Sequence, residues 1–399
     1  MRTICESVLC TGCAACSQVC PQGAIAMTAN SEGFLYPRIN EDICSDCGLC
    51  IRTCPVNKAL ETGSEGDTVT GAGAGHKQDA GSRFYACCSV DEAIRTASSS
   101  GGVFSHLAKS VLSEGGVVFG AGFDEKFKVR HACIEDVKKL DSLRRSKYVQ
   151  SEIGDSFRQA RGFLDEGRKV LFCGTPCQIA GLRAFLGREY GGLLACDLAC
   201  HGVPSPKVWD MYLEYLRDKY KSEIKAVSFR DKSTGWNNSS MRIDFKNGSK
   251  YMDSVKREIF FIGFGKSIFN RRSCFNCLFR INNTKADITL ADFWGIDKIS
   301  PGEFTDNRGV SLVITHTPAG EEAFLRIKDD VRAEEKAYNA AVKYNPRLVS
   351  SVPEPPARKS FFGDLVSGYD FDRLVEKYMD NKSLKYRVKC IIKRILGRG

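Results

Sequence analysis

The 19 cysteines of this 399-residue chain include two identical runs near its start. Cys10-x-x-Cys13-x-x-Cys16-x-x-x-Cys20-Pro21 recurs, spacing for spacing, as Cys44-x-x-Cys47-x-x-Cys50-x-x-x-Cys54-Pro55. In such a run three closely spaced thiolates wrap one iron-sulfur cubane, while the fourth Cys, followed by Pro, crosses to the other. The expected ligand sets are therefore Cys10, Cys13, Cys16 and Cys54 for one [4Fe-4S] cluster, and Cys44, Cys47, Cys50 and Cys20 for its neighbour. Zinc ribbons or a disulfide framework are the competing explanation. Zinc sites, however, pair two C-x-x-C knuckles and leave the third Cys and the C-P of each half without a purpose. The implied chemistry is one-electron transfer.

A second cysteine group is dispersed: Cys177, Cys200, and the C-x-x-C of Cys274 and Cys277. These four thiols suit a third [4Fe-4S] cluster, a zinc ion or no metal, and a chain already carrying two clusters favours the third cluster. Cys173 and Cys196 compete with them for ligation. Cys5, Cys87, Cys88, Cys133 and Cys390 fit no ligand spacing and read as small buried side chains. Clusters pass one electron at a time, so coupling them to a hydride donor or a double bond calls for a group that handles both one and two electrons. A flavin fits that requirement. Ser146, Lys147, Tyr148 and Ser151 offer a cation, a ring and hydroxyls for a flavin's phosphates and ring edge; a solvated polar turn is the plain alternative. Ser100, Gly101 and Gly102 open a helical stripe of Val103, Phe104, Leu107, Val111 and Leu112. Such a helix start suits a phosphate or simply an N-cap. Of the five His, only His201 lies beside a proposed site, where proton delivery and backbone capping are both open.

The elements that must position these residues fall into an α+β ferredoxin-like iron-sulfur domain followed by an α/β body with a mixed, mainly parallel sheet. Residues 1–60 form the first unit, with 33–39 as hairpin strand material between the two runs. Residues 61–82 are rich in Gly, Thr and Ser and read as a flexible linker. Gly71, Gly73 and Gly75 imitate a dinucleotide loop, but no strand precedes them and no amphipathic helix follows. From Arg83 strands and helices alternate, the mark of an α/β body. A strand over 169–172 leads through Gly174, Thr175 and Pro176 into a helix. A second strand, 193–198, runs into Cys200, and a third, 287–291, runs into Asp292 and Trp294. In a parallel sheet these three strand ends open on one crevice, where α/β proteins bind ligands. Ser205 and Pro206 start a packing helix whose Trp209 is core. Residues 352–360 break regular structure. The rest of the basic tail, 351–399, ends in an amphipathic segment at 385–396, suited to peripheral contact with a partner or membrane surface, or to packing on the body.

The formal net charge of +10 treats every Cys as neutral, whereas each oxidised cubane with four thiolates carries roughly two negative charges. Two or three clusters offset about half of the positive charge, so no nucleic-acid role is expected. No stretch approaches the roughly 20 apolar residues of a membrane span, and the N-terminal residues lack the apolar region of a secretory signal. The expectation is a cytoplasmic protein with reduced thiols.

Several motifs occur together and in order: Ser100-Gly101-Gly102, Ser146-Lys147-Tyr148, Gly174-Thr175-Pro176-Cys177-Gln178, Cys200-His201-Gly202, Arg230-Asp231-Lys232 and Ala291-Asp292-Phe293-Trp294-Gly295. On these the body resembles the beta subunit of coenzyme F420 hydrogenase/dehydrogenase, with an N-terminal region at 83–168 and a C-terminal region at 169–350. The resemblance implies a flavoprotein holding FAD beside a [4Fe-4S] cluster and passing electrons between the reduced deazaflavin F420 and a ferredoxin or another redox partner protein. Similar bodies occur in 7-hydroxymethyl chlorophyll reductases, so the substrate is left open. The paired C-x-x-C set of a nickel-iron site is missing, so hydrogen activation is not carried over. Two other functions compete: an electron-carrier subunit without its own substrate, and a ferredoxin-dependent reductase of a biosynthetic precursor such as a polysaccharide.

Overall fold

The computed structural model describes residues 3–63 and 81–379. Most of the expected linker at 61–82, the basic segment at 385–396 and Cys390 lie outside the described residues. In the N-terminal domain the antiparallel strands β1 (Ile25–Ala29) and β2 (Leu35–Ile39) separate the two cysteine runs, with Ile25 opposite Ile39. A short helix, α1 (Ala15–Val19), carries Cys16 of the first run. The second run ends where α2 (Pro55–Glu61) begins, with Cys54 as N-cap and Pro55 at the first helical position. Proline is tolerated there because its missing N–H has no intrahelical acceptor to serve.

The body contains β3 (Arg83–Ser89), β4 (Val117–Phe123), β5 (Val129–Ile134), β6 (Val170–Cys173) and β7 (Leu193–Leu198). A separate three-stranded meander follows, formed by β8 (Ile224–Asp231), β9 (Ser240–Phe245) and β10 (Lys250–Ser254). The chain then returns to the main sheet with β11 (Ile288–Asp292), β12 (Ser311–Thr315) and β13 (Val331–Lys336). The spatial order of the eight-stranded sheet is β13-β3-β12-β11-β7-β6-β4-β5. Strands β11, β7, β6 and β4 pair in parallel, and every other pairing is antiparallel. The sheet is therefore mixed but not mainly parallel, which corrects the sequence-based expectation. Connection length supplies the reason. Parallel neighbours need a crossover, and a helix at Ser156–Asp165 and another at Pro176–Leu186 supply it around β6. The short turn between β4 and β5 permits only a hairpin. Val170, Leu171 and Phe172 are fully buried, as expected of a central strand covered on both faces.

This arrangement puts the carboxyl ends of β3, β6, β7 and β11 and the start of β12 along one edge. Helix α3 (Val103–Ser113) begins at Gly102, whose φ of 98° suits glycine. Helix α4 (Pro176–Leu186) has a reciprocal capping box between Thr175 and Gln178, Pro176 at its start and Gly187 at its end with φ 69°. These signals fix Cys177 in its first turn. Helix α5 (Pro206–Tyr220) is capped by the Ser205 side chain, which accepts from Val208 N–H. Trp209 is fully buried and donates Nε1–H to the Phe127 carbonyl at 2.8 Å. The break expected over 352–360 extends only to Pro356, because α6 (Ala357–Val366) starts immediately after it. Phe361, Phe362 and Leu365 of α6 share a core with Trp209, so this stretch belongs to the body and not to a tail. Among the described residues no helix is long and apolar enough to cross a membrane.

The two units are in close contact. Gln18 Oε1 accepts from the Phe157 and Arg158 amides at 3.0 and 3.2 Å, capping a body helix with a ferredoxin-domain side chain. Glu32 forms a two-pronged ion pair with the buried Arg358, at 3.1 and 2.6 Å.

Candidate functional site

The eight N-terminal cysteines separate into the two sets that the crossed ligand pattern predicts. Cys10, Cys13, Cys16 and Cys54 line one cavity, and Cys20, Cys44, Cys47 and Cys50 line another. The fourth cysteine of each run has crossed over, because β1 and β2 bring the two runs side by side. Cys5, expected only as a buried small residue, lines the first cavity as well. Its hydrogen bonds to Cys10 and Cys54, together with burial, hold its own thiol far above the usual range. Those same bonds pull the Cys10 and Cys54 thiols down, against the opposing effect of burial. Burial pushes Cys13 up to about 12. A metal must displace such protons to bind.

Cys177, Cys200, Cys274 and Cys277 also converge, on three separate elements. Cys177 stands in the first turn of α4, Cys200 two residues beyond β7, and Cys274 in a short turn at Arg272–Asn276. Burial raises Cys177 well above the ordinary thiol range, Cys200 to about 11 and Cys274 to about 12, and the remaining thiols of the group add to the rise. The buried Arg280 works the other way on Cys200 and donates to its carbonyl at 2.7 Å. Among the described residues no three His, Cys, Asp or Glu side chains sit close enough to hold a single ion. Cys173 and Cys196 pair with each other across β6 and β7 and stay outside this group. His201 is exposed at the surface.

A group of polar and aromatic side chains gathers at the end of β11. Asp292, at the end of β11, accepts from Arg230 Nη1 at 3.0 Å and from Trp236 Nε1 at 2.8 Å. Trp236 and Trp294 stack with centroids 4.8 Å apart and planes within 5°. Arg230 also donates to the Tyr148 hydroxyl at 3.1 Å and to Ser239 Oγ at 2.7 Å, while its Nη2, buried, has no partner among the described residues. Tyr148, Asp292 and Trp294 are thus brought together around Arg230. Arg230 links them, a residue quoted in a motif but given no role, and Trp236 was missed altogether. An indole facing another indole across 58 positions leaves no local signature in sequence.

The other anticipated residues are placed less directly. The Gly101 amide donates to Ser311 Oγ at 3.0 Å, Ser100 Oγ donates to the Val310 carbonyl, and the Ser146 amide donates to Ser99 Oγ, so these loops are tied to the sheet edge and to each other. Lys232 donates to the Ser100, Arg95 and Arg308 carbonyls. Burial and the charge of Arg95 bring its ammonium down to about 8. Lys147 donates to the Arg144 carbonyl at 2.6 Å, and removal from water lowers it to about 7. Gly174, Thr175 and Pro176 serve as the cap of α4. Ser151 turns away, donating to His131 Nδ1 at 2.7 Å, since His131 Nε2–H is already given to the Cys173 carbonyl at 3.1 Å.

The model of the N-terminal region of the coenzyme F420 hydrogenase/dehydrogenase beta subunit matches residues 84–157, that of its C terminus matches 167–341, and a 4Fe-4S dicluster domain matches 9–58. One subunit of the F(420)H(2) dehydrogenase of Methanosarcina mazei is 22% identical over 81% of this chain and 83% of its own length. The coenzyme F420-dependent sulfite reductase of Methanocaldococcus jannaschii is 24% identical over 84% of this chain, a match that spans 49% of that enzyme. A chain in the solved F420-reducing [NiFe] hydrogenase complex from Methanosarcina barkeri aligns over 74% of this chain and 91% of its own, with a TM-score of 0.42 and 17% identity. These relatives are oxidoreductase subunits and enzymes, and the dicluster match supports iron-sulfur clusters in the N-terminal domain. The chain belongs to the family of coenzyme F420 hydrogenase/dehydrogenase beta subunits, with a 4Fe-4S dicluster domain preceding the family body.

Proposed function

We propose that the chain is an iron-sulfur flavoprotein oxidoreductase that joins a two-electron exchange in the crevice to one-electron transfer through three cubanes. The observation that carries this reading is the geometry of α4. Cys177 occupies its first turn, and one turn later Gly181 lies so close to Cys13 that a Cβ there would come within 3.0 Å of the Cys13 sulfur. Four residues of helix advance about 6 Å, so the third cysteine group and the nearer N-terminal set sit within a helical turn of each other. Cys177 and Cys277 also share an apolar cluster with Cys16, Cys54, Cys20 and Cys50. These contacts support a series of three ligand sets leading towards the group of Tyr148, Arg230, Asp292 and Trp294.

A bound FAD would supply the exchange between two-electron and one-electron chemistry. The residues fit it. The unpartnered Arg230 Nη2 is a buried donor awaiting an acceptor, and the Trp236–Trp294 pair offers an aromatic face. Lys232 and Arg145 add positive charge to the surrounding loops, as an anionic pyrophosphate requires. Coenzyme F420 is the two-electron partner favoured by the names of the similar proteins.

An anaerobic spectral titration of the reconstituted protein with reduced F420 tests this, following flavin and cluster bleaching together. Bleaching of both is expected. Clusters without flavin in the purified protein would instead make the chain an electron carrier, and reduction by dithionite but not by reduced F420 would remove the deazaflavin while keeping the cofactor assignment.

A further inference from the structure

Arg271 is fully buried and sits between two of the cysteine groups. It starts the turn that carries Cys274, whose amide donates to the Arg271 carbonyl at 3.0 Å. Its side chain leaves the body and enters the N-terminal domain. There Nε donates to the Cys10 carbonyl at 2.8 Å and Nη2 to the Leu35 carbonyl at 3.0 Å, while Nη2 also lies 3.7 Å from Cys10 Sγ. Nη1 donates to Gln150 Oε1 at 3.1 Å, and the guanidinium rests 4.2 Å from the centre of the Tyr36 ring. Gly12 leaves the space this fork needs, since a Cβ there would come within 2.9 Å of Arg271 Nη1.

The fork satisfies hydrogen bonds but not charge. Among the described residues Arg271 pairs with no carboxylate, and Glu32, nearby in the same domain, is taken by Arg358 at 2.6 Å. A guanidinium removed from water without an anion is strongly unfavourable, and buried cations are paired or they are not retained. Among the described residues, the group placed to balance Arg271 is the set of Cys10, Cys13, Cys16 and Cys54, which would carry negative charge as thiolates of a cluster.

We infer that Arg271 is the counter-cation of the cluster held by Cys10, Cys13, Cys16 and Cys54, and that it sets that cluster's reduction potential above that of its neighbour. The inference rests on the ligand sets proposed above. Adding an electron makes a cubane one unit more negative, so a buried cation and an N–H···S contact stabilise the reduced form more than the oxidised one. The neighbouring set has its Cys47 exposed, and charges near water are screened. The easier cluster to reduce then lies next to the third group, and electrons drawn from the crevice settle there before moving outward.

The test is a redox titration of full-length reconstituted protein, followed by electron paramagnetic resonance, on the wild type, Arg271→Gln and Arg271→Lys. Arg271→Gln should lower the reduction equilibrium of one N-terminal cluster about tenfold, which is about 59 mV for a one-electron couple, and leave the other unmoved. Arg271→Lys keeps the charge but cannot span Cys10 and Leu35 together, so it should fall between. An unmoved potential in Arg271→Gln at full iron content overturns the inference. Should that variant lose iron, the wild type decides: grown with 15N-arginine and reduced, it must show a 15N coupling on one cluster that Arg271→Lys abolishes, and its absence overturns the inference. A wild-type iron content below about eight per chain, the content of two cubanes, overturns the ligand sets themselves, and this inference with them.

Discussion

Asp197 is a carboxyl whose proton folding holds more tightly. It is buried in β7, where burial lifts its pKa from 3.8 to about 7 despite hydroxyl donors from Thr284 at 2.6 Å and Thr289 at 2.5 Å. A carboxyl raised in the folded state binds its proton more tightly there than in the unfolded chain. Its contribution is complete below its unfolded value near 4 and is lost as pH rises to about 7, at up to about 1.4 kcal/mol per pH unit. Asp197→Asn should therefore flatten the fall in stability between about pH 5 and pH 7, measured as denaturation midpoints of the two proteins at each pH; parallel curves would assign the slope to other groups. Arg230 belongs to the same scale. Replacing it with Gln leaves Asp292 without its ionic partner and removes the free buried donor, so flavin retention on gel filtration should fall at least tenfold, about 1.4 kcal/mol of a charged hydrogen bond worth roughly 1.5–3 kcal/mol. Iron content should stay unchanged. The two sets of N-terminal cysteines that line separate cavities could be read from spacing, because each run is local in sequence. Arg230 and Arg271 could not, since Arg271 meets Cys10 across 261 positions, and its neighbours in sequence say only that a basic pair precedes a C-x-x-C.

At the scale of elements, α4 does two jobs. Its helix was legible from the run after Pro176, although the helix starts at Pro176 and takes in Cys177, because its cap signals act within one turn. Its contact with Cys13 was not legible, since a glycine inside a helix reads only as a small loss of propensity. That loss identifies a close approach. In an open helix Gly181→Ala would gain roughly 1 kcal/mol, but here the new Cβ would lie 2.9 Å from the Cys13 Cβ. Overpacking of this kind costs about 1–3 kcal/mol, and the contact is with an atom next to the backbone, which cannot swing aside. Gly181→Ala should then destabilise the protein and slow transfer between the N-terminal clusters and the proposed third, with all iron retained. Flash-reduction kinetics on the full chain check this, and an unchanged rate would mean that α4 does not set the separation. The mixed sheet teaches a related lesson. Strand positions followed from apolar runs, whereas strand direction depended on which connections carry a helix long enough to cross over.

At the scale of the molecule, the N-terminal domain is fastened to the body by several contacts with no common origin in the sequence. Gln18 caps a body helix, Glu32 pairs with Arg358, Gln150 donates to the Thr11 carbonyl at 3.0 Å, and Arg271 reaches Cys10. Composition alone suggested a domain on a flexible tether, because a Gly- and Ser-rich segment is visible and an interface built from long-range pairs is not. The distinction is testable by lengthening the segment between residues 64 and 80. If encounter depended on the tether, the effective concentration of one domain near the other would fall with roughly the −3/2 power of length, so doubling the segment would slow transfer about threefold. Contacts already formed in the folded protein do not pay that cost again at each turnover. Insertion of a Gly/Ser stretch equal in length to the segment should leave the transfer rate between the third group and the N-terminal clusters unchanged. Arg358→Ala should reduce it, since removing one partner of a buried ion pair costs about 3–5 kcal/mol and loosens the interface. A threefold loss on insertion, with no effect of Arg358→Ala, would make the tether and not the interface the element that brings the clusters together.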